Sequence, residues 1–388
     1  MHTTRAVCIL PGLLGSLHTA RVVCILPKLA YDPTMASAIR WGILSTGKIS
    51  HDFVTAVRSL APEENQKVTA VAARQLEKAQ EFAKCHNIEK AYGSYPELIA
   101  DGDIDVVYVG SVNPTHYELV KQLLEAGRAV LCEKPLCINV RQTQELVALA
   151  RERDTFLMEA VWTRCFPSVR RMMEELKTGT IGEVKHIAAT FGIYTPENNR
   201  VRTKATGGGT ALDLGVYCAQ LTNLVMDNQS WSRLRTLGHL NNEGCDLSLS
   251  TSVTYPGREL ATLVTHCEVA MECAAVITGT KGIMKLLPPF HAPTELVLPS
   301  GTVSYPVPPS FPGAQYNFEN SAGLQYEALH VAECLRKGLK ESPLMSLYDT
   351  IRTAEMVEAM RKSAGVEYPE DDFHFDSSTP SFNQDCCM

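Results

Sequence analysis

The chain has 388 residues, enough for two ordinary domains, and its 45% apolar and 20% charged residues are the proportions of a globular protein with a sizeable core. Thirty-six basic against 43 acidic residues leave a net charge of -7, and no run of Lys and Arg interleaved with aromatics marks a nucleic-acid surface. Thirteen cysteines, without a C-x-x-C pair or a Cys/His spacing suited to zinc, lead to the expectation of reduced thiols in a cytoplasmic protein that holds no metal.

Residues 1–34 contain a near-repeat, TRAVCILP and ARVVCILP, each unit too short to span a bilayer and ended by proline. We expect a disordered appendage outside the fold. Three basic residues and no acid before Asp32 keep a targeting segment open, and Met35 is an alternative start.

A strand over Ile39–Leu44, the turn Ser45-Thr46-Gly47-Lys48-Ile49-Ser50 and a helix running to about Ser59 follow. The turn is a partial dinucleotide fingerprint: Gly47 holds the position that lets backbone approach a pyrophosphate, while Ser45 and Ser50 stand where glycines are usual. A second strand, Val68 to Ala73, and a second helix, Leu76 to Lys84, give the turn its context. Ser45, Thr46, Gly47, Lys48 and Ile49 are therefore candidate cofactor residues. The second strand ends at Arg74, where an NAD site would place an acid, so NADP is the expected cofactor, its 2′-phosphate on the arginine. Val106 to Gly110 reads as a buried strand, and Asn113 and His116, at the start of the helix after it, are candidates for the cofactor or substrate face. The strand Ala129 to Cys132 delivers Glu133, Lys134 and Pro135 at its carboxyl end, where open α/β sheets bind ligands. A helix over Val140 to Arg153 and a strand over Phe156 to Glu159 complete an expected Rossmann domain of residues 35–157.

After Glu159 the pattern changes. A helix over Pro167 to Lys177 precedes strands at Glu183 to Tyr194, Ser232 to Leu237, Cys245 to Tyr255, Glu259 to Cys267, Met271 to Thr278 and Gly282 to Leu287. The meander predicts an open, mainly antiparallel sheet in an α+β domain over 158–368, devoted to substrate and to dimerisation, with a tail over 369–388. Its interruption, Gly207-Gly208-Gly209, opens a helix carrying Asp213 and Tyr217 on one face. Closing helices lie near Leu324 to Lys337 and Leu347 to Ser363. A sheet with helices on one side leaves a second face to cover, from which we expect a homodimer, with no membrane and no nucleic-acid partner.

In this order GILSTGKIS, VAAR, AVLCEKP, MEAVWTRCFP and GGGTALDLGVY resemble the glucose-fructose oxidoreductase/inositol dehydrogenase (Gfo/Idh/MocA) family from about Ala36 to Tyr368. The resemblance implies an NADP-dependent dehydrogenase of trans-dihydrodiols of aromatic hydrocarbons or of aldoses such as D-xylose. It also implies Lys134 at the nicotinamide and Asp213 and Tyr217 in the substrate site. Many members have histidine where this chain has Tyr217, and one branch has tyrosine as here. Removing a hydroxyl proton needs a positioned base, either Tyr217 with its phenol made more acidic by Lys134, or Lys134 itself. Asp213 would orient Lys134 or a substrate hydroxyl, and Trp162 and Phe191 would wall the pocket. The competing readings are another sugar or polyol dehydrogenase of the same family and a cofactor-binding sensor without turnover.

Overall fold

The computed structural model describes residues 38–197 and 199–371; the appendage expected over residues 1–34 and most of the expected tail lie outside this span. The first half alternates strand and helix: β1 (Ile39–Leu44), α1 (Lys48–Arg58), β2 (Gln66–Ala72), α2 (Leu76–His86), β3 (Lys90–Tyr92), α3 (Tyr95–Ile99), β4 (Val106–Val109), α4 (His116–Glu125), β5 (Ala129–Glu133), α5 (Val140–Glu152) and β6 (Leu157–Ala160). Its six strands are all parallel, in the order β3-β2-β1-β4-β5-β6. Strand order reverses between β1 and β4, and the crevice that such a reversal opens at the strands' carboxyl ends is where open α/β sheets bind ligands. Near-continuous apolar runs such as Val106-Val107-Tyr108-Val109, wholly buried, are what a sheet covered on both faces requires.

The second half comprises α6 (Pro167–Lys177), β7 (Val184–Gly192), α7 (Val216–Val225), β8 (Arg233–Leu240), β9 (Asp246–Thr254), β10 (Leu260–His266), β11 (Ala275–Gly279), β12 (Gly282–Leu286), β13 (Glu295–Leu298), β14 (Gly301–Ser304), α8 (Leu324–Arg336) and α9 (Leu347–Ser363). Its eight strands run β14-β13-β12-β11-β7-β10-β9-β8. Six neighbouring pairs are antiparallel, but β7 and β10 are parallel, so the expected meander is interrupted at its centre. The cause is the connection carrying α7 between β7 and β8: strand alternation fixes which side chains face inward, not which way a returning strand runs. The hairpin of β13 and β14 was not among the expected strands, because four-residue strands between Pro293 and Pro306 carry too short a period to read. Conversely, residues 271–274 of the expected Met271 strand are irregular, and pairing begins at Ala275.

The two halves share one apolar core that includes Phe53, Tyr108, Trp162, Phe166, Tyr217 and Val331. The start of the expected tail is docked: buried Arg361 pairs with Asp371 at 2.6 Å, and Asn139 Nδ2 donates to the Glu370 carbonyl at 2.9 Å. Among the described residues no helix is long and apolar enough to cross a membrane.

Candidate active site

The turn after β1 has the backbone of a glycine turn without its first glycine. Ser45 sits at φ 84°, the left-handed region that a Cβ disfavours. This conformation brings Gly47 to the start of α1, whose first intrahelical bond is His51 N to Gly47 O at 3.0 Å, leaving the amides of Lys48, Ile49 and Ser50 ahead of it. No acid stands in that first turn, so the helix terminus suits an anion. Gly110, at the end of β4, permits the close approach of α1, since a Cβ there would lie 2.3 Å from Ser50 Oγ. That hydroxyl is buried and has no protein partner. The residues at the switch point therefore fit the pyrophosphate of a nicotinamide dinucleotide. Arg74 follows β2 and is exposed.

Asn113 and His116 lie in the segment that follows β4. Buried Asn113 donates from Nδ2 to the Gly207 carbonyl at 2.9 Å, tying the first domain to the glycine hinge of the second. His116 is fully buried, with Nδ1 2.9 Å from Pro135 O and Nε2 3.1 Å from Ser111 O. Burial lowers its pKa although both carbonyls favour the charged ring. A neutral ring carries one N–H and donates to one of these two carbonyls, with Nδ1 lying against the turn that carries Lys134. Glu133 is likewise turned into the protein: Tyr108 donates its hydroxyl to Glu133 Oε1 at 2.6 Å, and burial raises the carboxyl's pKa.

Lys134 meets the second domain. Its Nζ donates to the Asp213 carbonyl at 2.8 Å, lies 3.7 Å from Asp213 Oδ1 and stands over the Tyr217 ring, 4.7 Å from the centroid. The segment Ala211–Gly215 is a single π-helical turn before α7, a wider turn than the α-helix expected for Asp213 and Tyr217 and one often found at functional sites. Asp213 Oδ1 also receives Arg200 Nη2 at 2.6 Å. Burial pushes the Asp213 carboxyl up, but Lys134 and Arg200 outweigh it and hold the group below the usual carboxylate range. Asp213 in turn raises the pKa of Arg200.

The Tyr217 oxygen accepts a hydrogen bond from Trp162 Nε1 at 3.1 Å. Here the structure departs from expectation. The phenol is not made more acidic: burial, its largest influence, pushes the pKa well above the ordinary tyrosine value, and Glu133 adds to the rise. The lysine stands over the ring's π-face in this state, where it attracts the quadrupole without directly stabilising a phenolate oxygen.

Trp162 and Phe191 are both at Tyr217, and Phe191 stacks on His291 with centroids 4.3 Å apart and planes at 14°. His291 and Arg200 were absent from the sequence candidates. His291 is held at a pKa of about 3 by burial, assisted by Lys134, and its Nδ1 has no protein partner. Neither residue lies in a recognisable spacing; a histidine set among Pro288, Pro289 and Pro293 is the faint local signal for a shaped turn.

Comparison with known proteins agrees with this geometry. Residues 39–161 match the model of an oxidoreductase family with an NAD-binding Rossmann fold, and residues 169–285 match the GFO/IDH/MocA C-terminal domain. The trans-1,2-dihydrobenzene-1,2-diol dehydrogenase of Bos taurus is 43% identical over 334 residues, 86% of this chain and 99% of the relative. The Homo sapiens protein of the same name is 42% identical over the same shares. A 3-ketoreductase from Actinomadura kijaniata, solved with NADP and TDP-benzene, superposes with a TM-score of 0.70 at 26% identity, covering 84% of this chain and 98% of that one. Levoglucosan dehydrogenase, solved with NADH and levoglucosan, shares the fold at a TM-score of 0.73 and 18% identity over 85% of this chain and 98% of that one. A parallel sheet with an anion-suited helix terminus at its switch point and a mainly antiparallel second domain thus coincide with matches spanning most of the chain, and the protein belongs to the GFO/IDH/MocA family of nicotinamide-dependent oxidoreductases.

Proposed function

We propose that this protein is an NADP-dependent dehydrogenase that oxidises trans-dihydrodiols of aromatic hydrocarbons and aldoses such as D-xylose. The observation that carries the reading is the cluster of Lys134, Asp213, Arg200 and Tyr217 enclosed by Trp162, Phe191 and His291. When bound, the nicotinamide supplies the carbon that accepts or returns the hydride. Ser45, Thr46, Gly47, Lys48 and Ile49 hold the pyrophosphate end of the cofactor, and Arg74 offers a guanidinium fork to the 2′-phosphate.

Tyr217 is the proton-transfer group. With its phenol pushed up by burial it rests protonated, ready to donate to a carbonyl oxygen in reduction. Oxidation runs through the same atoms in reverse: Tyr217 first releases its own proton to solvent, and the substrate hydroxyl proton then passes to the phenolate oxygen. Lys134 holds the substrate oxygen and stabilises negative charge there. Asp213, kept ionised between two cations, fixes Lys134 in place. The aromatic walls suit a flat diol ring, while the polar cluster suits a sugar hydroxyl. The runner-up is a different sugar or polyol dehydrogenase of the family.

Nine described cysteines, all free thiols, support the reducing environment of the cytoplasm as the site of action. Across the outward face of the second sheet, Arg235, Ser252, Thr262, Ala188, Val276 and Lys285 align strand by strand, with Leu237, 80% exposed, beside them. This long, only partly apolar face is the homodimer surface.

The experiment is an assay of NADPH formation against trans-dihydrodiols, D-xylose and other aldoses and polyols. Turnover of a dihydrodiol and of D-xylose is the expected result. Turnover of neither, with another polyol accepted, moves the protein to the runner-up, and cofactor binding without turnover of any substrate removes catalysis from the reading.

A further inference from the structure

His51 on α1 and the adjacent Cys85 and His86 at the end of α2 bring three metal-ligating atoms within 4.8 Å of one another. The sequence gives no sign of this. A histidine one helix away from a Cys-His dipeptide has none of the usual ligand spacings, and only the packing of α1 beside α2 joins them. His86 Nε2 and His51 Nδ1 are 3.0 Å apart, with ring centroids at 4.6 Å and planes at 65°. His51 Nε2 is 3.1 Å from the Gln315 carbonyl, which fixes it as the donor and leaves the Nδ1 lone pair facing His86. A backbone carbonyl on the far nitrogen is the outer partner that orients a metal-binding imidazole. Phe82, with its ring centroid 4.4 Å from that of His86, backs the second ligand.

We propose that His51, Cys85 and His86 bind a divalent transition cation of the zinc class, with water as the fourth ligand. Two imidazoles and a thiolate are donors for zinc, cobalt or copper and not for magnesium or calcium. In a tetrahedral site with bonds of about 2.1 Å the two nitrogens would stand roughly 3.4 Å apart, so they need shift only a few tenths of an ångström, while the Cys85 sulfur closes to roughly 3.6 Å from them by turning its exposed side chain. The protons balance simply. Cys85 releases its thiol proton to solvent, and the Nε2 proton of His86 moves to Nδ1, which is buried and has no partner at present. His86 is buried, and the Arg58 guanidinium is near enough to be felt at its ring. Arg58 acts against a cation here, so the thiolate must supply much of the affinity. Cys85 is exposed, giving the metal an entry path. Binding would tie α2 to α1, the helix that carries the dinucleotide turn.

The test uses the full chain without nicotinamide cofactor, titrated with zinc and separately with cobalt(II). Wild-type protein should bind one equivalent more tightly than Cys85→Ser, and cobalt should give a thiolate-to-metal charge-transfer band in the near ultraviolet. That band should be absent in Cys85→Ser. Zinc affinity should fall at least tenfold in Cys85→Ser and in His51→Ala, together with the rise in Tm that zinc gives the wild type. Identical cobalt spectra and zinc affinities in wild type and Cys85→Ser would assign the metal to other cysteines and overturn the proposal. So would failure of the wild type to bind zinc at micromolar concentration, which would leave His51 and His86 a hydrogen-bonded pair and nothing more.

Discussion

Lys134 Nζ stands 4.7 Å from the centre of the Tyr217 ring while the phenol oxygen is held by Trp162 Nε1 at 3.1 Å, so the amine and the hydroxyl are joined through the ring and not by a hydrogen bond. Burial pushes the Tyr217 pKa well above the ordinary tyrosine value, so the phenol is protonated in this state, and on the proposed mechanism it gives up its proton only with substrate bound beside Lys134. Tyr217→Phe should therefore lower kcat by roughly two to four powers of ten with NADP affinity nearly unchanged. Lys134→Met should also cost turnover, and the double variant should be little worse than the poorer single one, because residues acting as a unit are not additive. Oxidation should speed up with rising pH more than reduction does. Pre-steady-state hydride transfer in each variant, followed against pH, checks this; a Tyr217→Phe variant with a raised KM and an intact alkaline limb would make Lys134 the base.

On the proposed reading, the exposed guanidinium of Arg74, following β2, takes the 2′-phosphate of NADP. Arg74→Asp should weaken NADP and improve NAD, reversing the ratio of their kcat/KM values. Equal use of both cofactors by the wild type would reduce Arg74 to a strand-end surface charge.

A long sheet face with Ala188 at its centre should pair with a second copy, and sedimentation at micromolar concentration should give about twice the chain mass. Ala188→Arg, placing a charge on that face, should yield a folded monomer. A clean wild-type monomer would mean that the face is polar enough to be left to water.

Glu159 at the end of β6 is buried and accepts Leu136 N at 3.0 Å through Oε1, with the Thr350 hydroxyl near enough to favour its charged form. Burial, the largest influence, raises its pKa from 4.5 to about 7. A carboxyl raised on folding favours the folded state in its protonated form, so its contribution is full below about pH 4.5 and is lost as the pH rises to about 7. Glu159→Gln should match the wild type at pH 4 and be more stable at pH 8 by on the order of 1–3 kcal/mol. Urea unfolding at the two pH values measures this; an equal or less stable variant at pH 8 would show that the carboxylate is satisfied in the folded protein.

Much of the protein is legible in the sequence because local chemistry carries it. Apolar runs alternating with helical periods specified a doubly wound sheet, and the strand-turn-helix around Gly47 was recognisable although serine occupies its left-handed position. The Ala129 strand delivered Lys134 to the carboxyl edge, and Gly207-Gly208-Gly209 opened the segment bearing Asp213 and Tyr217. Long-range geometry decided the rest. The parallel pairing of β7 with β10 depends on the path of α7, which no strand period encodes. Arg200 and His291 enter the site by packing from irregular segments, and His51 meets Cys85 and His86 only because α1 and α2 lie side by side. The acidity of Tyr217 was misjudged from sequence for the same reason: an adjacent cation can be inferred from two motifs, but whether it reaches the hydroxyl or the ring, and how completely water is excluded, is fixed by the folded core around it.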